Sequence, residues 1–374
     1  MAGEVFDYLI VGSGMAGAGA AYELADGARV LLLEREDAHG YHTTGRSAAL
    51  YSEVYGNAMI RGLTRASRPF FEAPPEGFAA HPLLSPRGCL YVGRPDQADA
   101  LAAMLAAEPG ALRFVSREEV LALVPALRPG YVGSGLLEDG AMDADVEAIH
   151  QGFLRGAKAR GVEIRLGQEV VAITPTAEGY SVGTASGETF ATRVLVDAAG
   201  AWADVVAGLA GVRPIGLTPM RRTAMIIDGP PGADVRAWPM VIDADEDFYF
   251  KPDAGRLLVS PADETPAEPH DAWADEMDVA IGIERVQTAA DIPVQRIVRS
   301  WAGLRSFVAD RSPVIGFDAE APRFFWLAGQ GGYGVQTAPA AARAAAALAR
   351  RQALPADIAA EGVTAQALSP DRLR

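Results

Sequence analysis

The sequence predicts an α/β fold in which a buried parallel sheet is accompanied by an inserted antiparallel sheet. Two short apolar runs, 8–11 and 29–33, are typical of strands covered on both faces. They flank a glycine-rich turn and an alanine-rich helical stretch, which together have the pattern of a βαβ unit. Much later, 221–260 alternates strand-like runs with short turns, as antiparallel sheets do. These observations predict two sheets within one chain of 374 residues.

The glycine-rich turn reads Gly12-Ser13-Gly14-Met15-Ala16-Gly17, the pattern G-x-G-x-x-G. Its first glycine permits a tight turn, its second lets the backbone approach a pyrophosphate, and its third lets helix and strand pack closely. The helix N-terminus offers unpaired N–H groups to the phosphates. Glu34 ends the second strand, where a carboxylate can accept from both ribose hydroxyls and would repel a 2′-phosphate. We therefore predict a Rossmann-type domain that binds FAD or NAD and not NADP.

The composition argues against several other classes of protein. The net charge of −15 disfavours nucleic acid and anionic membrane surfaces as partners. The single cysteine rules out an internal disulfide and is typical of a reducing compartment. The N-terminus lacks a signal-peptide pattern, and the apolar runs are much shorter than a membrane span. We expect a cytoplasmic protein without a membrane span or a metal site.

The segment after Glu34, residues 35–56, is rich in glycine and hydroxyl side chains. We expect this loop to pass beside the ligand, although an ordinary surface loop is the alternative. Helices are then predicted at 58–71, 97–107 and 117–123, with a strand centred on 90–92.

The middle of the chain returns to helix and strand. Asp145 is predicted to cap a helix over 146–161, in which His150 is packed or exposed and not a ligand. Strands are predicted at 162–166 and 169–173, a hairpin pairs 180–182 with 189–191, and 194–196 is expected to be another buried strand. Gly200 follows it, where a glycine permits close approach to a ligand.

The C-terminal third repeats the strand–glycine–helix pattern. Residues 271–292 are predicted to be mostly helical and 324–328 to form the last buried strand. The glycine turn 329–334 and a helix over 335–351 follow. They are expected to point a second helix N-terminus into the same cleft.

The three glycine-containing segments resemble FAD-dependent oxidoreductases of the D-amino-acid oxidase family. The resemblance is closest to the bacterial D-arginine dehydrogenase group and extends over essentially the whole chain. It implies a discontinuous FAD-binding domain (1–82, 142–218 and 318–374) and an inserted antiparallel substrate domain (83–141 and 219–317) that covers the flavin. Its most specific motifs are 41–49 (YHTTGRSAA), 81–87 (HPLLSPR), 301–307 (WAGLRSF) and 330–334 (QGGYG).

The resemblance also implies roles at the substrate end. Arg222 and Arg305 resemble the pair that grips the substrate carboxylate, and Tyr249 resembles the residue that donates a hydroxyl to it. Guanidinium forks suit this task because they fix both angle and distance. Tyr55 resembles a mobile loop residue that covers the substrate. The backbone at Gly331 and Gly332 would face the amine and the flavin edge.

FAD is expected to bind without a covalent link. The residues expected to contact it are Gly12, Gly14, Met15, Ala16, Gly17, Glu34, Arg35, Thr43, Thr44, Gly45, Arg46, Ser47, Ala48, Ala49, Val170, Ala199, Gly200, Trp202, Gly303, Arg305, Gly331, Gly332, Tyr333, Gly334, Val335 and Gln336.

The expected reaction is hydride transfer from the α-carbon of an amino acid to the flavin, followed by hydrolysis of the imino acid to a 2-oxo acid and ammonia. D-Arginine dehydrogenases carry an acidic residue at the far end of the pocket, where this chain has Cys89, and a histidine where it has Leu50. A buried cationic tail would lack a partner there, which is costly. We therefore expect a preference for neutral apolar or aromatic D-amino acids.

Other functions stay open on sequence grounds. A glycine- or sarcosine-type amine oxidase and a 2-hydroxy-acid dehydrogenase would use the same carboxylate clamp, and a redox-inactive FAD-binding protein is a further alternative. The electron acceptor is a quinone, another acceptor or O2. Lys251 is expected to be solvated and not an oxygen-activating cation, and Asp310-Arg311 is either an electrostatic element or a structural turn.

Overall fold

The computed structural model describes residues 5–374, which form a succession of strands and helices. The strands are β1 (Val5–Val11), β2 (Val30–Leu33), β3 (Leu50–Tyr51), β4 (Leu84–Pro86), β5 (Cys89–Gly93), β6 (Arg113–Val115), β7 (Ser134–Glu138), β8 (Met142–Ala144), β9 (Glu163–Arg165), β10 (Val170–Pro175), β11 (Tyr180–Thr184), β12 (Thr189–Asp197), β13 (Thr218–Ile227), β14 (Met240–Asp243), β15 (Tyr249–Asp253), β16 (Arg256–Ser260), β17 (Thr265–Pro266), β18 (Ile297–Phe307), β19 (Val314–Phe317) and β20 (Phe324–Ala328). The helices are α1 (Met15–Leu24), α2 (Ala58–Glu72), α3 (Ala98–Ala107), α4 (Arg117–Leu123), α5 (Val146–Ala159), α6 (Ala203–Leu209), α7 (Glu276–Ala289), α8 (Ala338–Ala349), α9 (Ala356–Ala360) and α10 (Ala365–Leu368).

The first sheet has the predicted parallel centre. β9, β2, β1 and β12 run parallel in that order, and β20 pairs parallel with β12. The antiparallel strands β10, β11 and β19 extend it. β2 and β20 are buried along their whole length, which explains their uninterrupted apolar sequences.

Small residues let the helices pack closely on this sheet. α1 lies between α5 and α8. A Cβ atom at Gly19 would come within 3.0 Å of the Ala342 side chain, and one at Gly156 within 2.3 Å of the Tyr22 ring. The alanine-rich composition of α1 and α8 therefore serves close helix packing.

The second sheet is mainly antiparallel and combines two separated parts of the chain. Its order is β17-β13-β16-β15-β14-β5-β7-β6, and β18 pairs with β13. The one parallel contact, β14 with β5, joins the two parts. This confirms the antiparallel pattern predicted for 221–260, while the predicted domain limits stay a prediction. A small third sheet, β3-β8-β4, carries Leu50.

Two local predictions are wrong. β12 is one continuous strand, so the predicted hairpin arm and the buried strand that follows it are the same element. The prediction that 271–292 is mostly helical is confirmed, and α7 begins at Glu276 because Asp275 caps it through a bond from the Met277 N–H. α8 begins at Ala338 and not at 335, since the preceding residues form turns.

The structure contains no helix among residues 5–374 with the length and apolar character of a membrane span.

Candidate active site

The glycine turn between β1 and α1 leaves no room for side chains. Gly12 has φ +99°, and a Cβ there would lie 2.6 Å from the Ala198 carbonyl oxygen. A Cβ at Gly17 would lie 1.9 Å from the carbonyl oxygen of Gly12. Gly14 is the N-cap of α1 and supplies no side-chain cap. The turn therefore opens a helix N-terminus to a ligand, which is the expected cradle for a pyrophosphate.

Glu34 lies beside this turn and is only 8% exposed. One carboxylate oxygen accepts from both the backbone N–H and the hydroxyl of Ser13, each at 2.8 Å, and the other accepts from the N–H of Glu36 at 3.1 Å. The carboxylate is thus fixed by the protein before any ribose binds. His150 supports the same turn from below, with Nε2 2.7 Å from the Ser13 carbonyl oxygen, so it is a packed residue as predicted.

A single cleft runs from this turn to the second sheet. The residues from the sequence prediction that line it are Gly12, Gly14, Met15, Ala16, Glu34, Arg35, Thr43, Thr44, Arg46, Ser47, Ala48, Val170, Ala199, Gly200, Trp202, Arg222, Tyr249, Gly303, Arg305, Gly331, Gly332, Gly334 and Val335.

The other predicted site residues lie outside this lining. Gly17 and Gly45 serve close backbone packing, and a Cβ at Gly45 would lie 2.7 Å from the Gly40 carbonyl oxygen. Gln336 is buried, and its amide donates to Thr64 at 2.9 Å. The remaining predicted residues outside the lining are Ala49, Leu50, Tyr55, Cys89 and Tyr333.

The two candidate clamp arginines come from adjacent strands of the second sheet. β13 and β18 pair so that Met220 faces Arg305 and Arg222 faces Gly303. Arg222 and Arg305 are therefore diagonal neighbours on one face of the sheet. Tyr249, from β15, lines the same cleft. Arg222 and Arg305 are far apart in the sequence, and the pairing of β13 with β18 brings them together.

The two guanidinium groups differ in their protein partners. Arg222 Nε donates to the Asp263 carbonyl oxygen at 2.7 Å, and Nη2 lies 3.1 Å from Glu264 Oε1. Arg305 Nη1 donates to the Tyr55 hydroxyl at 3.4 Å. Within residues 5–374, Arg222 thus has a carboxylate partner, whereas the hydrogen bond of Arg305 goes to a neutral hydroxyl.

The side chains around the two arginines shift the pKa values of Glu264 and Arg305. Desolvation opposes ionisation of Glu264, but a bond from Arg311 and the charges of Arg311, Arg222 and Arg305 lower its pKa. Burial disfavours the charged form of Arg305, yet interactions with Tyr55 and Tyr249 raise its pKa. Both groups are therefore charged at neutral pH. Arg311 belongs to this network, and its N–H also closes a turn on the Val308 carbonyl oxygen at 2.9 Å, so both alternatives for Asp310-Arg311 hold.

The glycine turn before α8 closes the cleft against the arginines. A Cβ at Gly332 would lie 2.8 Å from Arg305 Nη1, and one at Gly331 would overlap the Phe307 ring at 2.2 Å. Nearby, Ser306 Oγ and Gln330 Nε2 are buried without a hydrogen-bond partner within residues 5–374, and both residues line the cleft. Orphaned polar atoms of this kind indicate a polar ligand edge. A flavin, with its carbonyl and ring-nitrogen edge, suits this end, and its pyrophosphate suits the other.

Ser306 and Gln330 were missed as site residues by sequence reasoning. Each stands inside or next to a motif that the family resemblance singles out, 301–307 and 330–334. Their position in those motifs is the sequence feature that could have identified them as site residues.

Leu50 and Cys89 belong to an apolar cluster at the inner face of the second sheet. Cys89 is fully buried and packs with Met240, Ile242 and Tyr249. Burial raises the pKa of the Cys89 thiol well above its usual value. An inert, buried thiol outside the cleft lining supports non-covalent cofactor binding.

The prediction that Lys251 is solvated is wrong. It is 7% exposed, and its Nζ lies 2.6 Å from Asp143 Oδ1 and 3.3 Å from the Ala49 carbonyl oxygen. Its charge is neutralised by an acid from the small third sheet. Lys251 therefore ties the two sheets together.

Comparison with known proteins agrees with this geometry. The sequence profile of the family described as "FAD dependent oxidoreductase" (DAO) matches residues 7–348. The glycine oxidase of Bacillus subtilis (strain 168) is 24% identical, with 90% of each chain covered. Sarcosine oxidase subunit beta of Rhodobacter capsulatus is 23% identical over 83% of this chain and 77% of its own.

Among solved structures, the FAD-bound L-α-glycerophosphate oxidase of Mycoplasma pneumoniae superimposes with a TM-score of 0.83 at 22% identity. The superposition covers 93% of this chain and 95% of that one, which establishes the shared fold. With the phosphate cradle, the orphaned polar atoms and the family match in agreement, this chain belongs to the DAO family of FAD-dependent oxidoreductases, and FAD is its cofactor.

Proposed function

We propose that this enzyme oxidatively deaminates D-amino acids to 2-oxo acids and ammonia, and that it favours neutral apolar or aromatic side chains. One observation carries the proposal: Arg222, Arg305 and Tyr249 converge on the cleft beside the Gly331–Gly332 turn. Two guanidinium groups and a hydroxyl can hold an α-carboxylate in one orientation. The D configuration rests on the sequence motifs shared with D-amino-acid enzymes.

The protein residues in this proposal bind and orient the substrate. Arg305, whose hydrogen bond goes to a hydroxyl, has charge left for the substrate carboxylate. Tyr249 donates its hydroxyl to the same group, and Tyr55 covers the site. Bound FAD supplies the hydride acceptor for the α-hydrogen. Positioning accounts for the protein's contribution, so no strong side-chain base is required.

The side-chain preference is inferred from the apolar cluster that packs behind the cleft-lining Tyr249. Cys89, Met240 and Ile242 pack with Tyr249 on the inner face of the sheet. The nearby buried carboxylate of Glu138 already accepts from Ser52 and Glu53. A cationic substrate tail would thus have no free acidic partner there, and its desolvation would be costly.

Anaerobic reduction of the flavin tests the proposal. The purified yellow protein is mixed with D- and L-amino acids, glycine and sarcosine, and loss of visible absorbance is followed. We expect the fastest bleaching with neutral D-amino acids, and readmission of air then tells an oxidase from a dehydrogenase that needs a quinone or another acceptor. D-Arginine or D-lysine as the best substrate would contradict the side-chain preference.

A second candidate is a glycine- or sarcosine-type amine oxidase, which the curated relatives favour. Both substrates carry the same carboxylate and would use the same clamp. Bleaching by glycine or sarcosine faster than by any D-amino acid with a side chain would establish this candidate in place of the first.

A further inference from the structure

A buried carboxylate lies behind the cleft and takes no part in the proposed reaction. Glu138 ends β7 and is 3% exposed. Its Oε2 accepts from the Ser52 hydroxyl at 2.6 Å, and its Oε1 accepts from the Glu53 N–H at 2.9 Å. One side chain of the second sheet thus holds two consecutive residues, Ser52 and Glu53, of the loop that follows β3.

The next residue of that loop is Tyr55. Its hydroxyl accepts from Arg305 Nη1 at 3.4 Å, and its ring lies 4.9 Å from the ring of Tyr333. The loop is also tied to the start of the last long helix, because the Ser52 N–H donates to Gln336 Oε1 at 3.4 Å. Displacement of residues 52–54 would therefore move Tyr55 relative to Arg305.

We propose that Glu138 is a positioning residue for the carboxylate site: as a carboxylate it holds Ser52 and Glu53 so that Tyr55 lies against Arg305, and as a carboxylic acid it holds them more weakly. The inference rests on the proposed function, in which Arg305 binds the substrate carboxylate.

The chemistry of the contact explains this difference. A carboxylate accepts at both oxygens, which matches the two donors of the loop. Protonation removes the negative charge, so the bonds from Ser52 and Glu53 lose their charge-assisted strength, and a proton on Oε1 would face the Glu53 N–H. The loop is then held more weakly, and the position of Tyr55 is less fixed.

The surroundings of Glu138 place this change near neutral pH. Burial, the largest influence, raises its pKa to about 7, while the bonds from Ser52 and Glu53 lower it and the charge of Glu53 raises it. Cys89 and Tyr91 also face it from β5, and burial raises the pKa of both, so they stay neutral there. The carboxylate form prevails above about pH 7 and is lost as the pH falls. The Glu138 carboxylate therefore holds the loop above about pH 7.

Binding of benzoate to the flavin-loaded enzyme tests the proposal, followed by the change in flavin absorbance. Benzoate carries a carboxylate and no amine, and it stays anionic throughout a range of about pH 6 to about pH 9. For the unmodified enzyme we expect Kd to rise about 5-fold as the pH falls through the Glu138 midpoint, which corresponds to the difference between a charge-assisted and a neutral hydrogen bond. Glu138→Gln should bind weakly at every pH, with no midpoint.

Two further variants distinguish positioning from mere stability. Glu53→Gln removes a negative charge and should move the midpoint to lower pH. Ser52→Ala removes a donor to the carboxylate and should move it to higher pH. A purely structural role would weaken binding equally at all pH values without moving the midpoint. These two shifts decide the question even if Glu138→Gln does not fold. Glu178→Gln, at an exposed turn, is the matched control and should leave the midpoint unchanged.

The outcomes also separate this inference from the proposed function. A midpoint that persists in Glu138→Gln, or that neither Glu53→Gln nor Ser52→Ala moves, overturns the role of Glu138. If the predicted midpoints appear but no amino acid bleaches the flavin, the role of Glu138 stands and the proposed reaction is wrong.

Discussion

The two ends of the cleft are built in opposite ways. At the end formed by β1 and α1, the glycine turn and the N-terminus of α1 line the cleft and leave little room for side chains. At the other end, long charged side chains from the paired strands β13 and β18 line it. The first end therefore depends on open space, whereas the second depends on charge and on strand register. Substitutions at the first end should therefore impair FAD binding, and substitutions at the second end should impair catalysis.

The largest effect is expected where space is tightest. Gly12→Ala places a Cβ 2.6 Å from the Ala198 carbonyl oxygen at a residue with φ +99°. We expect FAD affinity to fall about 1,000-fold, since the combined strain and overlap amount to about 4 kcal/mol. The measurement is the ratio of flavin to protein absorbance after purification. Gly208→Ala, which meets no atom within 4 Å, is the control. A Gly12→Ala variant that purifies with its full flavin content would contradict this account.

A substitution at the charged end should reduce catalysis without reducing the FAD content. Arg305→Met removes the guanidinium whose hydrogen bond goes only to a hydroxyl. We expect kcat/KM for an amino acid to fall about 100-fold, as befits loss of a charge-assisted bond of about 3 kcal/mol, with FAD still bound. Arg299→Met changes an exposed residue of the same strand and should have little effect. An unchanged kcat/KM in Arg305→Met would remove this residue from the clamp.

A smaller effect is expected at Glu34, the buried carboxylate at the phosphate end. Glu34→Gln exchanges a carboxylate oxygen for an amide that faces N–H and O–H donors. We expect FAD to bind about 10-fold more weakly, from one lost bond to a charged group. Titration of the apoprotein with FAD measures it. Glu163→Gln, on the neighbouring strand, should bind FAD normally. Equal affinities in both variants would show that this end depends on shape alone.

The smallest effect has the opposite sign. Glu264→Gln removes the carboxylate that competes for Arg222, so the substrate carboxylate should bind more tightly. We expect KM to fall about 3-fold, because partly exposed ion pairs are worth less than about 1 kcal/mol. Steady-state kinetics test this, with the exposed Glu268→Gln as control. A rise in KM would mean that Glu264 orients Arg222 instead of competing for it.

The two ends of the cleft also differ in how well the sequence predicts them. The glycine turn, α1 and Glu34 lie close together in the chain, so spacing alone predicts their arrangement. Sequence patterns divide β12 in two because Thr192 and Arg193 interrupt its apolar run, although in the strand Thr192 is buried and only Arg193 of the two is exposed.

Contacts between distant residues were beyond the reach of sequence patterns. Asp143 meets Lys251, and Glu264 meets Arg222, through sheet pairings that no local signal encodes. The sequence Glu138-Asp139-Gly140 is typical of an exposed turn. Glu138 is nevertheless buried, by β5 and by the loop after β3. Arg222 and Arg305 were placed in one cleft from the family resemblance, and their side-by-side register became visible only in the structure.

The pairing of β13 with β18 has a consequence for how such an enzyme diversifies. The strands are in register from Thr218 with Phe307 to Ala224 with Trp301, so the gap between the cationic side chains is locked into the backbone ladder. A slip by one residue would turn Arg222 to the opposite face. Substitutions of other cleft-lining side chains can therefore change the shape of the cleft, while the spacing of Arg222 and Arg305 is kept by the backbone pairing.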